Sequence, residues 1–353
     1  MAILALAWPA ASALATTPAI GVDLIYANGF DMPTSGRGGA NYLWYALGPN
    51  CAREDYGILP NYAEPGVRAQ VQQQLAAMVN SGMRRLSIGI HFTDGWHTGT
   101  VIDASDAAKV SQVQANLATF LGDIEAAGYA EVLFRFFPQA ALNPSSTTFN
   151  PSLMPEYWQL VQTLRVPLVN SGMPYLIDLM VEGAPPDSNS IFCYPDKAQC
   201  PSNPAWSNAL RDLWRDYVAA YGASDSVGYS FLTASRTRER VRHMVYVYDV
   251  GGVPVYPSTF ALDFYAYGGS SEADEFLDMH NLMGDYGHAA ADWIISETYY
   301  NDPLAAAALS SAIAATQQTV AYLTQWPLDR AQTCADVSVP PPYQFDIWQM
   351  YGF

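Results

Sequence analysis

Two glutamates sit where paired-carboxylate chemistry needs them. Glu182 follows the largely apolar run Leu176 to Val181 within Tyr175 to Gly183 (YLIDLMVEG), and Glu297 follows Trp293-Ile294-Ile295-Ser296 within Asp292 to Tyr300 (DWIISETYY). Each is followed at once by loop-forming or aromatic residues, as expected where a strand ends. Alone, either glutamate reads as a helix cap or the partner of a neighbouring arginine. If the two runs face one another, one carboxyl can deliver a proton to a leaving oxygen while the other attacks, or assists attack, at carbon. Four further side chains on similar runs are candidates for contacts around such a pair: His91, Arg135, Tyr265 and Trp326. Trp44, Tyr45 and Trp96 are candidates for the walls of a cleft, and Asp23, Asp178 and Asp263 are alternative carboxylates.

The elements that must carry these residues alternate regularly. Apolar, β-branched or aromatic runs are expected as strands at Gly21–Ala27, Arg85–Phe92, Glu131–Pro138, Tyr175–Gly183, Ser226–Thr233, Thr259–Tyr267, Asp292–Tyr300 and Ala321–Leu328. Between them lie segments of helical period at Pro65–Ser81, Val110–Ala127, Pro155–Ser171, Ala205–Tyr221, Arg236–Tyr248, Glu272–Tyr286 and Leu304–Thr319, with Gly82, Gly128 and Gly172 as stop signals. Eight strands alternating with helices in 353 residues predict an α/β fold, a (β/α)₈ TIM barrel in one domain with long βα loops. The tail after Cys334 carries Pro340 to Pro342 and the aromatic end FDIWQMYGF, expected to pack back on the barrel.

Barrel enzymes place their chemistry at the carboxyl ends of the strands. Glu182 and Glu297 end strands four and seven, on opposite sides of the ring, so both project into one mouth. In this the chain resembles clan A of the glycoside hydrolases, whose barrels carry a glutamate acid/base at strand four and a glutamate nucleophile at strand seven. The resemblance implies that Glu182 is the acid/base and Glu297 the nucleophile. It implies that Trp326 floors the sugar subsite at the end of strand eight and that Tyr265, in the DFYAY stretch, hydrogen-bonds the nucleophile. It departs at Val181, where most of the clan has Asn contacting the sugar 2-hydroxyl; His91 and Arg135 are the residues that would supply polar contacts instead. The activity implied is retaining hydrolysis of a β-linked oligo- or polysaccharide, with Glu182 holding its proton until attack and Glu297 ionised. The departure leaves open a barrel that binds glycans without cutting them, and the aspartates leave open an inverting or lyase-like enzyme.

Composition narrows the classes. With 16 basic against 33 acidic residues the net charge is −17, so phosphate backbones and anionic membrane surfaces are repelled and no nucleic-acid or membrane partner is expected. No apolar run reaches the roughly 20 residues of a membrane span. No G-x-S-x-G, G-x-x-x-x-G-K-[ST] or H-E-x-x-H motif occurs, and the Gly36–Gly39 segment (GRGG) lacks a dinucleotide-binding context, so neither cofactor nor metal is expected. Residues 1 to 15 (MAILALAWPAASALA) end in a small-x-small pattern and are expected as a signal peptide, with residues 16 to 353 as the barrel, secreted or periplasmic and monomeric. Cys193 and Cys200 bracket a short loop suited to a disulfide, and Cys51 and Cys334 are the remaining candidate pair.

Overall fold

A computed structural model describes residues 36–46, 57–183, 204–233, 237–327, 330 and 344–353. Eight parallel strands form a curled sheet: β1 (Gly38–Asn41), β2 (Arg85–Thr93), β3 (Glu131–Pro138), β4 (Tyr175–Asp178), β5 (Ser226–Gly228, resuming at Phe231–Leu232), β6 (Thr259–Asp263), β7 (Asp292–Glu297) and β8 (Val320–Gln325). Neighbours pair in chain order from β1 to β5, and β1 also pairs with β8, which pairs with β7 and it with β6. The ring closes through the interrupted β5. Its first half pairs with β4 (Ile177 opposite Ser226), and its second half pairs with β6 (Leu262 opposite Phe231). This is a (β/α)₈ barrel, extended by the short strand Val101–Asp103 beside β2 and a hairpin of Asp249–Val250 with Val253–Pro254.

Among the described residues a helix of eleven residues or more follows each of β1 to β7 in turn, the first of them preceded by the single turn Ile58–Asn61: α1 (Pro65–Asn80), α2 (Ala107–Ala127), α3 (Met154–Ser171), α4 (Pro204–Tyr221), α5 (Thr237–Val247), α6 (Glu272–Asp285) and α7 (Pro303–Thr316). Their ends follow local chemistry. Asp106 caps α2 by accepting from the amides of Ala108 and Lys109, and Gly128 ends it at φ 97°. Ser271 and Asp274 form a reciprocal capping box on α6, and Asp302 caps α7 ahead of Pro303. A last helix, α8 (Asp346–Met350), lies in the carboxyl-terminal segment, where Phe345, Trp348 and Phe353 are buried in the main core between helices and sheet.

The expected first strand, Gly21–Ala27, lies outside the described residues, and the sheet position between β8 and β2 belongs to Gly38–Asn41 instead. Gly39 explains why such an unpromising segment, GGAN, is a strand. A β-carbon there would stand 1.6 Å from the carbonyl oxygen of Arg85, so only glycine lets β1 approach β2 this closely. The four cysteines and residues 1 to 15 also lie outside the described residues. Among the described residues no helix is long and apolar enough to cross a membrane.

Because the atom a new side chain would strike at Gly39 is backbone, relief requires strand displacement. Gly39→Ala is expected to destabilise the barrel by about 3 kcal/mol, at the upper end for overpacked sites, measured as a lowered urea midpoint with an unchanged m-value.

Candidate active site

The barrel interior is built in tiers by the two-residue period of its strands. The lowest tier is apolar and takes one residue from each of β3 to β8: Leu133, Leu176, Val227, Ala261, Ile294 and Tyr322. Two residues farther along five of these strands stand Arg135, Asp178, Asp263, Ser296 and Thr324, all without solvent exposure. The fifth strand breaks the rule. Gly228 turns at φ 69°, interrupting β5, and Ser230, three residues after Val227, is the side chain that joins the polar tier. β1 contributes Asn41, whose amide donates to the carbonyl of Ser296 at 2.8 Å.

Arg135 is the centre of this tier. Its Nε donates to Asp178 Oδ2 (3.0 Å), its Nη1 to Glu297 Oε1 (2.5 Å) and Asn41 Oδ1 (3.2 Å), and its Nη2 to Ser230 Oγ (3.1 Å) and Asp263 Oδ2 (3.4 Å). These five acceptors engage all five guanidinium protons. The sequence suggests Arg135 as a contact to substrate; in the structure its side chain is fully buried and every donor is engaged inside the protein. It holds carboxylates.

The upper tier opens into a cleft of roughly 370 Å³, lined among others by Trp44, His91, Phe137, Glu182, Glu297 and Trp326. His91 stacks on Phe137 with ring centroids 4.5 Å apart, and Trp44 meets Trp326 edge-on at 5.6 Å. Tyr45 packs on the core and Trp96 is exposed, and neither lines this cleft. Asp23 lies outside the described residues.

Glu297 ends β7 almost fully buried, with both oxygens engaged: Oε1 by Arg135, Oε2 by the Tyr265 hydroxyl at 3.0 Å. Glu182 is exposed and is not on a strand. β4 stops at Asp178, and Glu182 occupies a turn closed by the amide of Gly183 on the carbonyl of Met180. It is held there at φ 49°, a left-handed conformation that costs a non-glycine residue of the order of 1 kcal/mol. The turn is tied to the polar tier, because the Glu182 amide donates to Ser230 Oγ at 2.9 Å. One carboxylate oxygen from each of Glu182, Asp263 and Glu297 lies within 4.8 Å of the others.

Electrostatics sort these carboxyls by environment. One guanidinium among three ionised carboxylates would leave two uncompensated negative charges in a dry site. Burial, reinforced by the Glu297 charge and opposed by Arg135, holds Asp263 well above the usual carboxylate range. Burial also leaves Glu297 raised on balance, although Arg135 and the Tyr265 hydroxyl pull the other way by bonding its ionised form. Burial and the neighbouring Glu297 charge keep Tyr265 protonated as a donor. Burial alone would lower Arg135; Glu297, Asp263 and Asp178 together raise it, so it is a permanent cation. Asn41, Ser230 and Ser296 had no sequence signal, while Asp178 and Asp263 are the alternative carboxylates already picked out by their position in strands.

The same barrel recurs among solved structures. The chain resembles a glycoside hydrolase 5 lichenase from Caldicellulosiruptor sp. F32, a mutant solved with cellotetraose. The TM-score is 0.54 at 12% identity, over 94% of this chain and 99% of that one. It also resembles a mutant of a hyperthermophilic beta-glucosidase, with a TM-score of 0.52 at 10% identity over 90% of this chain and 100% of that one. At such identities the likeness establishes the fold. No protein-family model and no curated protein matches the chain.

A buried, proton-holding Asp263 has a measurable signature. Because its folded pKa lies above its unfolded value near 4, the stability it contributes is complete below that value and is lost as pH rises through the folded pKa. Asp263→Asn removes this dependence. The stability of the variant minus that of wild type, from urea unfolding, is expected to increase steadily from about pH 4 upward; a pH-independent difference would show that Asp263 is ionised in the fold.

Proposed function

We propose that the protein is a retaining glycoside hydrolase that cuts β-linked oligo- or polysaccharide by double displacement. One observation carries the reading: Glu182 and Glu297 present carboxylate oxygens within 4.8 Å of one another across an aromatic-walled cleft, one carboxyl exposed and the other buried and doubly hydrogen-bonded. Carboxyls of retaining enzymes stand about 5 to 5.5 Å apart, whereas inverting enzymes need about 6.5 to 9.5 Å to admit a water. The closeness supports retention.

The roles follow from surroundings. Glu297, ionised and aimed by Arg135 and Tyr265, attacks the anomeric carbon as Glu182 gives its proton to the departing glycosidic oxygen, leaving a glycosyl ester on Glu297 and an ionised Glu182. Glu182 then takes a proton from water as that water attacks the anomeric carbon and frees Glu297, so both carboxyls return to their starting states. The exposed position of Glu182 suits exchange with water in the second half. Trp44 and Trp326 offer apolar faces for sugar rings, His91 and Gln139 offer polar edges in the same cleft, and solved barrels with the same fold include a lichenase in complex with cellotetraose and a beta-glucosidase.

Turnover of β-glucan oligosaccharides, followed as reducing ends with the anomeric form of the first product read by NMR, tests this. Wild type is expected to release product with retained configuration. Glu297→Gln is expected to abolish turnover, and Glu182→Gln to lower it by about 10² to 10⁴, the usual contribution of a general acid. Full activity in Glu297→Gln would end the assignment, and oligosaccharide retained without any release of reducing ends would mark a glycan-binding barrel. A second test is the acidic limb of the pH profile. Since the Tyr265 hydroxyl favours ionised Glu297, Tyr265→Phe should move that limb to higher pH; an unmoved limb would mean that Tyr265 does not tune the nucleophile.

A further inference from the structure

We infer that Ser230 is a positioning residue for the acid/base glutamate, taking on by a backbone route the task of holding that residue in register with the nucleophile. The inference rests on Glu182 being the acid/base.

Three hydrogen bonds converge on one residue. Ser230 Oγ accepts from the backbone amide of Glu182 at 2.9 Å and from Arg135 Nη2 at 3.1 Å, and the Ser230 amide donates to Asp178 Oδ1 at 3.1 Å. Ser230 has no solvent exposure, so no water competes for that oxygen. Arg135 in turn grips Glu297 Oε1. A two-bond path, Glu182 amide to Ser230 Oγ to the guanidinium, therefore links the turn that carries the acid/base to the group that aims the nucleophile.

The local backbone shows why such a tie is needed. Glu182 lies past the end of β4 on an exposed turn at φ 49°, and the residue before it, Val181, has no polar side chain with which to anchor the turn. A left-handed glutamate persists only where its surroundings over-determine it. The Glu182 amide bond to Ser230, the Val181 amide bond to the carbonyl of Phe136 and the turn-closing bond at Gly183 all help to hold it. Of these, only the Ser230 bond involves a side chain and can be deleted by substitution without altering the strand backbone. The break in β5 at Tyr229 and Ser230, with Gly228 at φ 69°, is what turns the serine inward.

Removing the oxygen should misplace the proton donor while leaving the nucleophile in its grip from Arg135 and Tyr265. The discriminating measurement is kcat/KM on two substrates of one sugar: an alkyl or glycosyl leaving group, whose departure needs protonation, and a dinitrophenyl leaving group, whose departure does not. Ser230→Ala is expected to lose about tenfold to a hundredfold on the first, the range for one lost hydrogen bond to a charge-bearing site, and less than about threefold on the second. Ser230→Thr, which keeps the oxygen, should restore most of the loss. Thermal unfolding of each variant establishes that it is folded.

Glu182→Ala on the same two substrates separates the failures. If it shows no such split, the acid/base reading of Glu182 is wrong. If Glu182→Ala splits the substrates and folded Ser230→Ala loses both equally or neither, Ser230 does not position the acid/base.

Discussion

Taking a guanidinium out of water costs several kcal/mol and is repaid only when its fixed fork of donors is matched acceptor by acceptor. Arg135 meets that condition with partners from five different strands: Asn41 on β1, Asp178 on β4, Ser230 in the break of β5, Asp263 on β6 and Glu297 on β7. With β3 itself, six of the eight strands are bound to one side chain. A slip of one residue in any of them would turn its acceptor to the outer face, so barrel register and charge compensation are a single requirement.

The tiers above and below give this requirement its use. The apolar ring of Leu133, Leu176, Val227, Ala261, Ile294 and Tyr322 closes the barrel beneath the polar tier, and the aromatic walls of the cleft stand above it. Glu297 sits at the boundary, buried enough for its bonds to Arg135 and Tyr265 to be strong, yet lining the cleft. Glu182 stands on the solvent side of the same boundary. Two like residues thus stand at different depths of one cleft, and what opposes burial at the deeper one is its bonding to Arg135 and Tyr265.

Much of this was legible in the residues. Strands β2 to β8 announce themselves as β-branched or aromatic runs, and the helices by period and by glycine stops, because burial on both faces of a parallel sheet demands such runs. β1 does not: its four residues are selected for close approach to Arg85, and glycine leaves no hydrophobic trace. Strand four is overread for a related reason, since Leu179, Met180 and Val181 look like strand although the chain has already turned. In the site, the two glutamates and Tyr265 stand out by type and place. The setting of Arg135 within EVLFRFFP, a lone charge amid apolar residues, points to a buried ion needing partners, but not to which partners. Ser230 and Asn41 are small polar residues whose importance arises only from contacts far away in the chain, and no local pattern encodes that.

The interruption of β5 has a mechanical meaning. Elsewhere in the ring one continuous strand serves both of its neighbours, whereas here one short segment faces β4 and another faces β6, with the turn at Gly228 between them. The two short ladders of this seam mean that little backbone bonding must be surrendered to open the ring there. Ser230 sits in that gap, so parting the seam would leave the remaining strands paired while severing the link between the two glutamates. A break in the scaffold and the hydrogen-bonded link between the two glutamates are one and the same place.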